Sequence, residues 1–133
     1  MSLTEEERSA IVLYRIEKAE NALEEIRKMI PLGLWTTIAN RMYYALYYAV
    51  SALLIKDGHS PSSHKGVMSL YNLYYVKTGI LSIEDGRLFG NVFSFRQGSD
   101  YDDFIDATEE EVNDYFPQVV ALVEKIIALI KEQ

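Results

Sequence analysis

The longest apolar run in the chain, residues 42–55, reads Met-Tyr-Tyr-Ala-Leu-Tyr-Tyr-Ala-Val-Ser-Ala-Leu-Leu-Ile. It contains neither Gly nor Pro and is rich in Ala, Leu and Met, which predicts a helix. A surface helix carries one apolar stripe, whereas this one is apolar nearly all round, so it is expected to be buried on more than one side. At ~1.5 Å per residue it spans roughly 21 Å. That is short of the ~20 apolar residues a membrane span needs, and Lys56-Asp57 closes it. Two arrangements fit: a central core helix, or a helix with one face in the core and a Tyr-rich face (Tyr44, Tyr47, Tyr48) against a partner subunit. Tyr suits the second because its ring is apolar and its hydroxyl can stay wet.

The remaining pattern is helical too. Thr4-Glu5-Glu6-Glu7 has the form of a capping box, opening a first helix to about Met29 with apolar positions Ala10, Ile11, Tyr14, Ala19, Ala22, Leu23, Ile26 and Ile30. Pro31 and Gly33 end it. The second helix covers residues 34–56, with Trp35 in its first turn packing on the end of the core. Residues 57–63 form a Gly/Pro/Ser loop, and Ser62 or Ser63 caps a third helix, His64 to about Lys77, that Gly79 stops. Ser82-Ile83-Glu84-Asp85 caps a fourth, running to about Gln97, with Gly98 as its C-terminal stop. Thr108-Glu109-Glu110-Glu111 repeats the capping box and opens the last helix, to about Lys131. Pro117 must bend that helix or begin a new one. No strand-like alternation recurs. The expectation is one all-α domain over residues 1–133, an antiparallel up-and-down four-helix bundle with an additional short helix, the short one in fourth position.

Composition narrows the function. The 133 residues suit a single domain, and 49% hydrophobic residues exclude a disordered chain. The absence of cysteine excludes disulfides and thiolate metal sites. The acidic, amphipathic N-terminus has no signal-peptide pattern, so a cytoplasmic location without membrane contact is expected. A net charge of −7 rules out an extended nucleic-acid-tracking surface but permits a compact basic site.

Few residues carry candidate chemistry. Phosphate-binding Gly loops, nucleophile elbows and zincin helices are absent. His59 and His64 are the only histidines; without Cys they could hold a metal only with carboxylate help, and their loop position points instead to solvated or capping roles, while the acidic stretch of residues 100–106 lacks the calcium-loop pattern. No metal and no cofactor is therefore expected. Arg96, at the predicted helix end beside Gly98, is placed to hold a phosphate or carboxylate bidentately. It can equally cap its own helix or pair with Asp100.

Three segments taken together resemble the HEPN domain family: Asn40-Arg41-Met42-Tyr43-Tyr44-Ala45, then His64-Lys65-Gly66, then Arg96 followed by Asp100-Tyr101-Asp102-Asp103. The resemblance covers nearly the whole chain. It implies a helical bundle that forms a homodimer, with the Arg-centred motifs of two subunits facing across a cleft. Many such proteins are metal-independent ribonucleases, and others accompany a nucleotidyltransferase in toxin–antitoxin pairs. The ribonuclease members carry a His four to six residues after the Arg, where this chain has Tyr101, Asp102 and Asp103. Tyr, with a pKa near 10, is a poor base at neutral pH, and Asp102 would need its pKa raised by about two or three units. The resemblance thus favours a module that binds nucleotide or RNA phosphate through Arg41, Lys65, Arg96 and Tyr101 and partners a nucleotidyltransferase. Tyr101 would stack, hydrogen-bond or accept nucleotidylation. The alternatives are a ribonuclease using Arg96 with His64, Tyr101 or Asp102, and a purely structural bundle.

Overall fold

A computed structural model describes residues 3–101 and 106–132, with the side chains of Asp100 and Tyr101 excepted. Its elements are α1 (Glu5–Met29), α2 (Trp35–Lys56), α3 (His64–Tyr71), α4 (Ile83–Tyr101) and α5 (Glu109–Lys131). A 3₁₀ turn (Ile30–Leu32) follows α1, and a π-helical turn (Asn72–Val76) follows α3. Among the described residues there is no strand. No described helix is long and apolar enough to cross a membrane.

The helix starts are fixed by local chemistry. Thr4 Oγ1 accepts from the Glu7 amide at 3.0 Å while Glu7 Oε1 accepts from the Thr4 amide at 2.9 Å. Thr108 and Glu111 repeat the arrangement, and Ser82 and Asp85 form a third reciprocal pair with both bonds at 3.0 Å. Such caps satisfy first-turn donors that have no intrahelical acceptor. Gly33, at φ 68°, supplies the left-handed residue between α1 and α2.

Four helices form the bundle, each antiparallel to the next in sequence. Arg8 meets Ile55, and Glu25 meets Arg41, so α1 and α2 run in opposite directions. Tyr43, early in α2, contacts Phe93 and Arg96, late in α4, which sets α4 against α2. Phe95–Tyr115 and Asp85–Lys125 set α5 against α4. Helix α2 lies at the centre, packed by α1, α3, α4 and α5. That is why its apolar run is almost continuous: Ile38, Ala39, Met42, Tyr43, Ala45, Leu46, Ala49, Val50, Ala52 and Leu54 have no exposed surface. Tyr44, Tyr47 and Tyr48 are half-buried against the same core, as is Trp35.

Several sequence expectations are corrected. The short helix is the third, not the fourth, because the ladder leaves α geometry at Asn72 instead of continuing to Lys77. Helix α4 passes through Gly98 and reaches Tyr101, so Gly98 is no stop. Of the two outcomes expected at Pro117, no new helix begins: α5 is continuous across it, the proline is exposed, and Gln118 Nε2 donates to the Asp114 carbonyl at 2.9 Å. In α1 the buried stripe runs through Val12, Ile16, Ala19, Ala22, Leu23 and Ile26, leaving Ala10 and Tyr14 exposed.

Candidate functional site

Two helices line one groove: the first turn of α3 contributes His64 and Lys65, and α4 contributes Phe93, Arg96 and Gln97, while Tyr43 and Tyr44 of α2 pack against Arg96 from beneath. The groove, lined by Ser63, His64, Lys65, Phe93, Arg96 and Gln97, encloses about 400 Å³.

The arrangement begins with the Ser63 cap. Its hydroxyl accepts from the Gly66 amide at 3.0 Å, and its carbonyl takes the Val67 amide. A Cβ on Gly66 would come within 3.1 Å of that hydroxyl, so glycine keeps the turn tight. The amides of His64 and Lys65 then stand at the two first-turn positions with no acceptor inside the helix, where the helix dipole favours an anion.

Arg96 lies across an aromatic shelf. Its guanidinium carbon is 5.1 Å from the Tyr43 ring centroid and 5.2 Å from that of Tyr44, within cation–π range. Arg41 approaches the same Tyr44 ring at 5.6 Å, and its Nε is 3.6 Å from Glu25 Oε2. Arg41 and Arg96 therefore converge on Tyr44, although Arg41 does not line the groove. Phe93, one helical turn before Arg96, extends the apolar wall and contacts Tyr43 at 5.4 Å.

His64 packs its ring 4.7 Å from Tyr47 and accepts a contact that the sequence did not reveal: the Tyr43 hydroxyl is 2.6 Å from its Nδ1. Tyr43 is fully buried, and burial, ahead of the opposing nearby Arg96 charge, pushes its phenol pKa well up. The phenol therefore keeps its proton, and a buried hydroxyl proton must have an acceptor. His64 Nδ1 is the partner at hand, which assigns the Nε2–H tautomer to the neutral imidazole. In that tautomer the second ring nitrogen is a hydrogen-bond donor rather than a base.

Of the residues singled out from sequence, His64, Lys65 and Arg96 share the groove, and Tyr44 and Arg41 flank it. Tyr47 supports His64, and Tyr48 lies next along the ladder, 5.8 Å from Tyr47. Asp102 and the Tyr101 side chain lie outside the described residues. Sequence reasoning missed Phe93, Gln97 and Ser63 as groove residues and Tyr43 as the hydrogen-bond partner of His64. Phe93 was reachable through its three-residue helical spacing to Arg96, but nothing local ties Tyr43 to His64. Among the described residues, no three His, Asp or Glu side chains cluster to hold a metal.

Fold and groove together define a class: an all-α bundle that gathers cationic side chains on an aromatic shelf of its central helix. The pattern of the family described as HEPN domain matches residues 12–133, and the chain belongs to that family. A UPF0332 protein of Thermotoga maritima is 32% identical over 126 residues, 95% of this chain and 96% of its own length. Two proteins of Methanocaldococcus jannaschii, each named "Putative toxin", are also similar. One is 32% identical over 72% of this chain and 65% of its own length. The other is 29% identical over 88% and 87%.

Proposed function

We propose that this chain is a homodimeric HEPN module that binds the phosphate of a nucleotide or RNA end and partners a nucleotidyltransferase in a toxin–antitoxin pair. The observation that carries the reading is the gathering of Arg96, Lys65 and His64 around one groove at the start of α3. Arg96 offers a planar fork of donors, Lys65 a point charge, and the Nε2–H tautomer of His64 a further donor. Phe93, which lines the groove, and the half-buried Tyr44 beside it supply apolar area on which a base can rest. The toxin names of two relatives support the toxin–antitoxin context, and the family resemblance supplies the partner. The half-buried Tyr44, Tyr47 and Tyr48 are the surface on which the second subunit would close.

The ribonuclease reading has one observation in its favour: His64 shares the groove with Arg96. The Tyr43 bond argues against it, because it leaves His64 without a basic nitrogen facing the groove. Metal-free protein incubated with end-labelled RNA tests the choice, with binding read by filter retention and cleavage on a gel. Retention without cleavage is expected. Cleavage that disappears in both Arg96→Ala and His64→Ala would overturn the binding reading in favour of an enzyme.

A further inference from the structure

We infer that a second site, remote from the Arg96 groove, takes a monocarboxylate bearing a short apolar tail. It is the cleft between the start of α1, the end of α2 and the end of α5, lined by Glu5, Arg8, Ser9, Val12, Leu13, Lys56, Asp57, Gly58 and Ile130 and enclosing about 680 Å³. Along α2, Lys56 is thirteen residues from Tyr43, roughly 20 Å.

Two cations lining this cleft form no ion pair among the described residues. Lys56 Nζ is buried and has no hydrogen-bond partner among the described residues. Arg8 Nη1 donates to the Ile55 carbonyl at 2.7 Å, which fixes the guanidinium without neutralising it. Neither side chain forms an ion pair among the described residues, in a chain with 20 acidic and 13 basic residues. Asp57, beside Lys56 in sequence, instead accepts the Tyr75 hydroxyl at 2.6 Å. A buried ammonium without a partner is costly, and an incoming anion that bonds it removes that cost.

The cleft also selects among anions. Glu5 and Asp57 balance Arg8 and Lys56 in formal charge, so a doubly charged phosphate meets repulsion that a single carboxylate largely escapes. Val12 and Ile130 are core residues that present an apolar floor, and Leu13, 63% exposed, stands uncovered at the edge. A carboxylate between Arg8 and Lys56 would lay its tail along these three. The source is either a free organic acid or the C-terminus of a protein ending in an apolar residue.

The test is an amide NMR titration of the full chain with hexanoate, beside 1-hexanol and inorganic phosphate. Saturable shifts at Arg8, Val12, Leu13 and Gly58 are expected with hexanoate, with weaker responses to the other two. Lys56→Gln should weaken hexanoate binding about tenfold or more, the usual range for losing a charge-assisted bond. Leu13→Asp should weaken it too, and its exposed position leaves the fold intact. Binding of 5′-phosphorylated RNA by Lys56→Gln should match the parent, which separates this site from the groove. The inference is overturned if hexanoate gives no saturable shifts, if hexanol or phosphate matches it, or if neither variant changes its affinity. A C-terminal Leu peptide competing with hexanoate identifies a protein terminus as the source, and failure of that peptide identifies a free acid.

Discussion

Replacing Tyr43 by Phe removes one oxygen and probes how the site is held. The ring remains, so the contacts with Phe89, Phe93 and Arg96 survive and no cavity of consequence opens. What is lost is the 2.6 Å bond to His64 Nδ1. A hydrogen bond of this kind contributes ~1 kcal/mol net, and the half-buried imidazole left behind regains some of that from water. The expected destabilisation is therefore about 0.5–1.5 kcal/mol in urea unfolding, or roughly 2–5 °C in Tm for a chain of this size. The sharper signature is in the imidazole itself. In the parent protein, two-bond ¹H–¹⁵N correlations should show His64 with an unprotonated Nδ1 and a protonated Nε2. In the variant the Nδ1–H form should become populated, and phosphate affinity should fall with it. A parent spectrum dominated by the Nδ1–H tautomer would refute the argument, because His64 would then face the groove as a base.

Other consequences follow from the same structure. Thr108→Ala removes the acceptor for the Glu111 amide and should destabilise by about 1 kcal/mol in chemical denaturation. Gly98→Ala, in a helical position with nothing within 4 Å of the added carbon, should stabilise by up to ~1 kcal/mol. Gly86→Ala should not show that gain, because its Cβ would sit 3.1 Å from Asn72 Oδ1 and from both methyls of Val76; equal stability of the two variants would contradict the packing. Burial raises the Asp85 pKa, but the Lys125 and Ser82 hydrogen bonds outweigh it and hold the carboxyl below its ordinary value. A folded pKa below the unfolded one means that Asp85 stabilises fully above roughly pH 4 and loses that contribution as pH falls through the folded value. Stability measured from pH 5 down to pH 2 should fall less steeply in Asp85→Asn than in the parent.

The fold was legible where the signal is local. Capping boxes at Thr4 and Thr108 and the all-round apolar character of α2 are short-range patterns, and they correspond to real helix starts and a real central helix. The errors arose where packing overrides propensity. Gly98 reads as a terminator in isolation, yet α4 continues through it. The π turn at residues 72–76 coincides with the close approach of Gly86, and no pattern in residues 64–77 announces it. Arg96 and the His64–Lys65 pair could be singled out from residue type and family resemblance. Their meeting could not, because it depends on α3 and α4 both packing beside Tyr43, 21 residues from His64 and much farther from Arg96 in the chain.

The central claim is that Arg96 and its neighbours bind phosphate, and the most direct measurement is the affinity of one short oligoribonucleotide with and without its 5′-phosphate. The parent protein should prefer the phosphorylated form. Arg96→Ala should lose about tenfold or more in affinity for that form and most of the preference, since a charge-assisted bond to Arg contributes ~1.5–3 kcal/mol. A parent that binds both forms alike, or an Arg96→Ala variant that keeps the preference undiminished in a folded protein, would contradict the account.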